Sequence, residues 1–463
     1  MSASAHSSAH SPDPVLQLIG NTPLVKIAHL DTGPCELYVK LESQNPGGSI
    51  KDRVALSMIE AAERSGQLRP GGTIIEATAG NTGLGLTLVA VRKGYRIRLV
   101  VPDKMSTEKI QQLKAMGAEV ILTRSDVVKG DPLYYQDLAR SIAEQTPGAY
   151  YIDQFNNPAN PAAHERSTGP EIWAQMDQRI DAIVAGVGSS GTLSGLSRYF
   201  ARVSPHTGFV LADPAGSILA DYIETGHYGA AGSWRVEGIG EDFVPPLADF
   251  SRVRQAYRID DEESIRTARL LLEKEGLLAG SSSGTLVAAA LRYCRAQQQP
   301  QRVVTFICDS GNKYLSKQFN DNWLTDQGLR ARPKHHDLRD LIMRPHAQGA
   351  TVYARQQESL SDIYQKMRRH DISQLPVIEG DDQLVGVIDE WDVLWAVRQN
   401  KAHFQAPVQS MMSTDLITLS PADSMEDLLS LFHKDKVAPV VENGHFLGLI
   451  TQTDVLNYWQ RQA

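Results

Sequence analysis

Short apolar runs that end in glycine or small polar residues recur through the first part of the chain. Clear examples begin at Thr73, Asp181 and Arg302 and read TIIEATAGNTG, DAIVAGVGSSG and RVVTFICDSG. Such runs, alternating with helix-rich stretches, predict buried strands of open α/β sheets. Because ligands of these sheets bind where strands end, the polar residues after each run are candidates for a binding site.

The loops after the first two runs are suited to anions. In both, a helix is predicted to begin at once, so backbone N–H groups converge beside short polar side chains. The first loop is a candidate carboxylate pocket made by Thr78, Ala79, Gly80, Asn81 and Thr82. The second is a candidate phosphate loop made by Gly188, Ser189, Ser190, Gly191 and Thr192. An ordinary strand-to-helix turn is the alternative reading of the second loop.

A lysine directly after a Pro-Gly-Gly turn indicates which chemistry these loops could serve. Lys51 follows the turn at residues 45–48 and opens a helical run, VALSMIEAAE. A fixed position between a turn and a helix suits a lysine that forms a Schiff base. Without the neighbouring loops, the same lysine would be interpreted as a surface residue. The third apolar run ends at Asp309 and Ser310, for which a helix cap is the alternative. Together these features describe a pyridoxal phosphate (PLP) site.

The same segments resemble the fold-type II PLP enzymes, specifically the cystathionine β-synthase and cysteine synthase family. The resemblance implies a fold like that of tryptophan synthase β, with two open α/β subdomains over residues 12–328. It implies that Lys51 bonds to the cofactor, that Asn81 contacts its phenolic oxygen and that Ser310 meets its pyridine nitrogen. The family's phosphate loop, GTGGT, reads GSSGT here, so that Ser190 replaces a glycine.

The substrate residues are likewise implied by the resemblance. The carboxylate of the amino acid would be held by Thr78, Ala79, Gly80, Thr82 and Gln154. Glu237, in the segment VEGIG, distinguishes cystathionine synthases from cysteine synthases, which usually have a neutral residue there. It could receive the amino group of homocysteine, and a solvated loop carboxylate is the alternative. Ser282, in LLAGSSSGT, is a weaker catalytic candidate.

The resemblance therefore implies a lyase that condenses L-serine with L-homocysteine to cystathionine, with side production of hydrogen sulfide. Ser310 suits this chemistry, because a hydroxyl cannot keep the pyridine nitrogen protonated and the weaker electron sink favours β-elimination. Two alternatives stay open. One is a cysteine synthase that uses O-acetylserine and sulfide, and the other is a catalytically silent protein that senses adenosyl ligands.

An internal repeat follows a basic linker at residues 329–337. Pro376 and Asp392 recur as Pro439 and Asp454, which indicates two copies of one unit. The repeat resembles a Bateman module of two CBS domains, at about residues 338–400 and 406–461 of a module spanning 338–461. The resemblance implies an adenosyl ligand at Thr451 and Asp454. The entrance at residues 372–375 lacks an aromatic ring and a carboxylate, so we expect little or no activation by S-adenosylmethionine, with an adenine nucleotide as the alternative ligand.

Composition narrows the range of partners. A net charge of −8 offers no basic face for nucleic acid or an anionic membrane, and no apolar run reaches membrane length. Residues 1–11 are expected to be a disordered tip without a signal core, which predicts a cytoplasmic protein. This tip has histidines but no cysteine, so no haem is expected, and the scattered cysteines predict no metal site. The expected assembly is a homodimer or a higher homo-oligomer.

Overall fold

The protein is described here by a computed structural model that covers residues 13–460, apart from 79, 104, 128–129, 331–333 and 434–436. The expected disordered tip and its histidines therefore lie outside the described residues. The chain forms two compact units, of which the first runs to Asn320 and the second begins at Asp321. No helix in the described ranges is long and apolar enough to cross a membrane.

The first unit contains two sheets. Its strands are β1 (Leu24–Lys26), β2 (Glu36–Leu41), β3 (Thr73–Ala77), β4 (Arg96–Pro102), β5 (Glu119–Thr123), β6 (Ala149–Tyr151), β7 (Ala182–Ala185), β8 (Gly208–Pro214), β9 (Val253–Ile259) and β10 (Arg302–Ile307). The large sheet has the order β1-β2-β10-β7-β8-β9, and the small sheet has the order β5-β4-β3-β6. All neighbours are parallel except β1 and β2.

Helices connect and cover these strands. They are α1 (Lys51–Arg64), α2 (Asn81–Lys93), α3 (Thr107–Ala115), α4 (Tyr135–Gln145), α5 (Ala159–Ala163), α6 (Gly169–Gln175), α7 (Gly191–Val203), α8 (Leu219–Thr225), α9 (Asp261–Glu275) and α10 (Ser281–Arg295). A π-helical segment, His164–Thr168, joins α5 to α6. The predicted arrangement of two open α/β subdomains is confirmed, and each sheet has its own buried apolar core.

The path of the chain places the predicted site. The chain begins in the large sheet, passes to the small sheet for β3 to β6, and returns to the large sheet at β7. The polar loops follow the carboxyl ends of β3 and β6 in one sheet and of β7 and β10 in the other. Parallel strands bring such ends to one edge, so two separate sheet edges supply the residues of a single cleft.

The second unit repeats one supersecondary pattern. Its helices and strands are α11 (Asp321–Asp326), α12 (Leu360–His370), β11 (Gln374–Glu379), β12 (Gln383–Asp389), α13 (Glu390–Gln399), α14 (Met425–Phe432), β13 (Val437–Glu442), β14 (His445–Thr451) and α15 (Gln452–Gln460). Helices α12 and α14 both begin with a capping box, made by Ser359 with Asp362 and by Ser424 with Asp427. Both hairpins also shift register at matching positions. The predicted repeat is therefore confirmed.

The two repeats exchange flanking segments. Leu338, Leu341 and Ile342 pack into the core that contains β13 and β14, although they stand at the start of the first repeat in the chain. Val408, which stands at the start of the second repeat, packs into the core of the first repeat beside Leu360. Each repeat therefore completes its core with a segment from the start of the other repeat.

This exchange predicts where a core mutation acts. Leu341→Ala should destabilise the second repeat by about 2–5 kcal/mol, because a fully buried leucine is truncated. Hydrogen exchange should then rise more in Val437–Glu442 and His445–Thr451 than in Gln374–Glu379. Leu360→Ala is the matched control, with the opposite pattern. Equal acceleration in both hairpins of the Leu341 variant would contradict the exchange.

Candidate active site

Lys51 lies where a turn is joined to the end of a strand. The turn bends at Gly48, whose φ of 75° favours glycine. Ser49 then bridges to Asp309, and the backbone N–H of Ile50 donates to Cys308 O at 2.9 Å. Because Lys51 is the next residue and starts α1, its position is fixed against the carboxyl end of β10.

The amine of Lys51 is not engaged by its surroundings. No hydrogen bond or ion pair of its side chain is found among the described residues. Burial lowers the pKa of Lys51 below its ordinary 10.5, against the opposing influence of Cys308 and Asp309. Burial also raises the pKa of the Cys308 thiol to about 12, so the thiol stays protonated. A partly dehydrated amine without a partner is suited to bond to a carbonyl group.

The predicted phosphate loop joins β7 to α7. Ser189 Oγ accepts a hydrogen bond from Asn160 Nδ2 at 2.9 Å, and Thr192 Oγ1 lies 3.2 Å from His164 Nε2. At Gly191 a Cβ atom would fall 1.8 Å from Asn160 Oδ1, so only glycine fits. The backbone N–H groups and hydroxyls of this loop therefore lie at the start of a helix, an arrangement that is suited to bind a phosphate.

His164 supports this loop from behind. It is fully buried, and its other ring nitrogen, Nδ1, lies 3.0 Å from Thr168 Oγ1. Burial, together with the charges of Lys51 and Arg53, holds the pKa of His164 well below 6.5. The neutral imidazole can therefore donate to one threonine and accept from the other.

The predicted carboxylate loop follows β3. Thr78 Oγ1 accepts from the backbone N–H groups of Gly80 at 3.1 Å and Gly83 at 3.2 Å, which shapes the entry to α2. Thr82 Oγ1 donates to Gln154 Oε1 at 2.8 Å. Ala79, the remaining predicted member, lies outside the described residues.

Gln154 is held by a buried glutamate. Its Nε2 donates to Glu76 Oε1 at 3.0 Å and to Ala77 O at 3.2 Å. Both of its amide protons and its carbonyl oxygen are therefore already used. Burial, and secondly the charge of Asp153, raise the pKa of Glu76 to about 8, so Glu76 is largely protonated at neutral pH. In this arrangement Gln154 positions Thr82.

The carboxylate of Asp309 organises the centre of the cleft. Its Oδ2 accepts from Asn81 Nδ2 at 2.7 Å and from the Tyr314 hydroxyl at 2.8 Å. Asn81 Oδ1 in turn accepts from Lys313 Nζ at 3.0 Å. Lys313 also donates to the carbonyls of Gly47 and Gly48, at 3.2 and 3.1 Å, in the turn before Lys51. The first residue of α2 is thereby tied to the large sheet.

Glu237 lies in the same cleft and is buried, not solvated. Its Oε2 accepts from Lys109 Nζ at 2.7 Å, and its Oε1 accepts from Lys317 Nζ at 2.6 Å. Lys109 Nζ also donates to the Tyr314 hydroxyl at 2.8 Å and lies 4.4 Å from the centre of that ring. Burial alone would raise the pKa of Glu237, but the charges of Lys109 and Lys317 bring it below the ordinary value.

These contacts form a cleft charge network that crosses between the two sheets. It comprises Asn81, Lys109, Glu237, Asp309, Lys313, Tyr314 and Lys317. Asn81 and Lys109 belong to helices of the small sheet, and the other members follow strands of the large sheet. Burial and the charge of Asp309 keep the pKa of Tyr314 well above 10, so the hydroxyl stays a neutral relay between Lys109 and Asp309.

The remaining predicted residues flank this network. Ser310 caps the short helix Gly311–Tyr314 by accepting from Asn312 N at 3.3 Å, and its own proton remains to be donated. Ser282 is buried in the first turn of α10, and its hydroxyl lowers the pKa of the Cys308 thiol against the larger effect of burial. Its neighbour Ser281 accepts from Glu237 N at 3.1 Å.

Thr451 and Asp454 lie together in the second unit. Thr451 Oγ1 donates to Asp454 Oδ2 at 2.7 Å, and the N–H of Asp454 donates back to that hydroxyl at 3.3 Å. This reciprocal pair has the geometry of a capping box at the start of α15. In the first repeat, Asp389 and Asp392 cap α13 in the same way.

Several members of the site escaped sequence analysis. Lys313, Tyr314 and Lys317 follow Ser310 directly in the chain, and this proximity was the available signal. Glu76 also had a signal, since it is the charged residue in the otherwise apolar strand TIIEA. Lys109 had none, because it reads as one of the two lysines in α3 and its partner Glu237 is 128 residues away.

Comparison with protein families agrees with the two units. A family model described as pyridoxal-phosphate dependent enzyme matches residues 15–309, and the CBS domain model matches residues 338–399 and 408–461.

Curated relatives extend the match over both units. A cystathionine beta-synthase from Dictyostelium discoideum is 34% identical and covers 96% of this chain and 92% of its own. The enzyme of that name from Saccharomyces cerevisiae is 33% identical and covers 97% and 98%. The chain belongs to the pyridoxal-phosphate dependent enzymes, in the family of the cystathionine β-synthases.

Solved structures match the catalytic unit. An O-acetylserine dependent cystathionine beta-synthase from Helicobacter pylori is 37% identical, with a TM-score of 0.61, over 65% of this chain and 97% of its own. A hydrogen sulfide-producing enzyme from Fusobacterium nucleatum is 36% identical, also with a TM-score of 0.61, over 65% and 99%.

The residues of the cleft fit PLP. The unpartnered amine of Lys51 matches an aldehyde. The loop in which Gly191 leaves no space for a side chain matches a phosphate, and the free proton of Ser310 matches a ring nitrogen. Among the described residues, no group of three or more His, Cys, Asp or Glu side chains is placed to bind a metal.

Glu76 makes stability depend on pH. Its pKa is raised in the folded chain, so between its ordinary 4.5 and about 8 the unfolded chain releases a proton that the folded chain keeps. The free energy of unfolding should therefore fall as pH rises through this range, by up to about 1.4 kcal/mol per pH unit. Urea titrations of Glu76→Gln should show a shallower fall, and Glu60→Gln, whose side chain is 42% exposed, should match the wild type. Parallel curves for Glu76→Gln and wild type would contradict a buried, protonated Glu76.

The predicted phosphate loop carries backbone strain at Ser190. Its φ is 64°, which explains why the family places glycine there. Ser190→Gly and Ser190→Ala both lose the contact between Ser190 Oγ and Ser194 Oγ, but only glycine relieves the strain. Ser190→Gly should thus be more stable than Ser190→Ala by about 1 kcal/mol. Thermal unfolding compares them, and an alanine variant as stable as the glycine variant would show that the strain is absent.

Proposed function

We propose that this PLP-dependent enzyme replaces the hydroxyl group of L-serine with the thiol of L-homocysteine and so forms cystathionine. The observation that carries the proposal is Glu237, a buried carboxylate linked through Lys109 and Tyr314 to Asp309, beside Lys51. Relatives named cystathionine beta-synthase, similar over nearly the full chain, support it.

Lys51 is the proposed base. Bound PLP would supply the electron sink for negative charge at the α-carbon of the amino acid. Lys51 Nζ is suited to take the α-proton, because a pKa lowered by burial increases its neutral fraction near pH 7. The same amine is suited to return a proton when the second substrate has added.

The substrate carboxylate is proposed to bind at the start of α2. The N–H groups of Asn81 and Thr82 lie in the first turn of that helix, where its dipole favours an anion. Thr78 and Gly80 shape this loop, and Gln154 contributes by holding the hydroxyl of Thr82. Ser282 is proposed to act only indirectly, through the buried thiol of Cys308.

Glu237 is proposed to orient homocysteine and not to deprotonate it. A free thiol titrates at about 8.5, whereas the pKa of Glu237 is held below the ordinary value of 4.5, so proton transfer to Glu237 is strongly unfavourable. A carboxylate that stays ionised is instead suited to bind the ammonium group of the amino acid.

The substrates decide between this reaction and its alternative. The Helicobacter pylori relative is named as O-acetylserine dependent, which supports O-acetylserine with sulfide as the second candidate. The test is product analysis of the purified enzyme with serine or O-acetylserine, each with homocysteine or sulfide. Cystathionine from serine and homocysteine is the expected main product. A clear preference for O-acetylserine and sulfide would favour the alternative. Sulfide release from cysteine or homocysteine is the proposed side reaction.

Glu237→Gln separates the two half-reactions. Release of water from serine does not use this carboxylate, so its rate should change little. Addition of homocysteine should slow by about tenfold or more, because one charge-assisted hydrogen bond to the substrate is lost. Stopped-flow absorbance of each half-reaction measures both rates. Equal losses in the two halves would mean that Glu237 supports the fold or the cofactor instead.

The second unit is proposed to bind an adenine nucleotide through Thr451 and Asp454, with little response to S-adenosylmethionine. The entrance, with Ile372 and Leu375 among its residues, offers no carboxylate or aromatic ring to that ligand. Loss of one charge-assisted contact of about 1.5–3 kcal/mol would weaken binding roughly ten- to hundredfold. Calorimetric titration of the full chain with both ligands measures this. Micromolar S-adenosylmethionine binding with faster turnover would contradict it.

The assembly and location stay predictions of the sequence. We propose a cytoplasmic homodimer or higher homo-oligomer without haem or a metal, acting on small amino acids and not on nucleic acid or membranes. Light scattering and an absorption spectrum of the purified protein test the assembly and the absence of haem.

A further inference from the structure

Both carboxylate oxygens of Glu237 already bind an ammonium group. Lys109 Nζ is 2.7 Å from Oε2, and Lys317 Nζ is 2.6 Å from Oε1. Glu237 is only 7% exposed, so water cannot screen a third cation beside it. The proposed function brings such a cation, the ammonium of homocysteine, to this carboxylate. Three ammonium groups around one buried carboxylate would repel one another, and release of one of the two lysines relieves that repulsion when the substrate binds.

The geometry indicates that Lys109 is the one displaced. Its partner oxygen faces the interior of the cleft, because Lys109 also contacts Tyr314, which bonds to Asp309 beside Lys51. Lys317 lies on the outer side, with its side chain 20% exposed against 1% for Lys109. A substrate that reacts near Lys51 therefore approaches Oε2 and not Oε1.

Lys109 keeps other contacts after its ammonium group leaves Glu237. The Tyr314 hydroxyl and ring already contact its ammonium, so that the charge keeps a partner. Its stem packs against the carboxylate loop, where a Cβ atom at Gly80 would fall 2.6 Å from Lys109 Cδ. Lys109 therefore touches both the proposed site of the first substrate and the proposed site of the second.

We propose that Lys109 is a placeholder for the ammonium group of the thiol substrate. It keeps Glu237 Oε2 paired and ties α3 to the large sheet until that ammonium replaces it. Lys109 is thus a positioning residue that lowers the preference for homocysteine over thiols without an ammonium group, because only homocysteine has to displace it, and this inference rests on the proposed function. A thiol without an ammonium group cannot displace Lys109.

The test compares homocysteine with 4-mercaptobutanoate, which is the same molecule without its amino group. Lys109→Met keeps the stem against Gly80, and Glu237 still has Lys317 as a partner. The ratio of kcat/KM for homocysteine to kcat/KM for 4-mercaptobutanoate should rise roughly tenfold, since one competing charge-assisted hydrogen bond is removed. An unchanged or lower ratio would overturn the proposal.

Two control variants accompany this measurement. Lys114→Met, at an exposed position of the same helix, should keep the wild-type ratio. Adding Glu237→Gln to Lys109→Met should abolish the rise, since the contested carboxylate is gone. A rise that persists in the double variant would overturn the proposal, because it would not depend on Glu237.

Hydrogen exchange of the wild-type holoenzyme tests the placeholder without measuring turnover. Homocysteine should accelerate exchange in Thr107–Ala115, because Lys109 then releases Glu237, whereas 4-mercaptobutanoate should not. Equal effects of both thiols, or no effect of homocysteine, would contradict the proposal. If serine and homocysteine gave no thioether, the proposed reaction would be wrong, and the exchange result would still decide whether an ammonium displaces Lys109.

Discussion

Burial of the carboxylate of Asp309 at the end of β10 is the constraint on which the rest of the cleft depends. A buried charge without partners would be strongly unfavourable, and Asp309 obtains its partners from both sheets. Asn81 comes from the first turn of α2, and Tyr314 connects Asp309 to Lys109 on α3. The pairing of this buried carboxylate thus holds the two sheet edges together around the predicted position of the cofactor.

The same network determines which amine is available for chemistry. Lys109, Lys313 and Lys317 all donate to oxygen atoms of the cleft, so each of these ammonium groups is already engaged. Lys51 is the cleft lysine for which the described residues supply no such acceptor, and burial lowers its pKa. The reactivity of Lys51 therefore depends on the pairing of the other cleft lysines as much as on the turn that precedes it.

Sequence patterns predicted those parts of the site that are formed by consecutive residues. The loops after β3 and β7, the turn before Lys51 and the strand end at Ser310 each combine a strand with a glycine or a helix start, which sequence displays directly. Lys109 could not be found in this way, because its contacts with Glu237 and Tyr314 span 128 and 205 residues. The packing of Leu341 into the core of the second repeat, and of Val408 into the core of the first, is also non-local.

The central claim is that, of the cleft lysines the structure describes, the charge network leaves Lys51 alone free to bond to PLP. Borohydride reduction of the holoenzyme, followed by peptide mapping with mass spectrometry, tests this most directly, because it fixes the cofactor to the amine that carries it. The account predicts modification at Lys51 and an absence of cofactor at Lys109, Lys313 and Lys317. Cofactor fixed to any of these other lysines would contradict it.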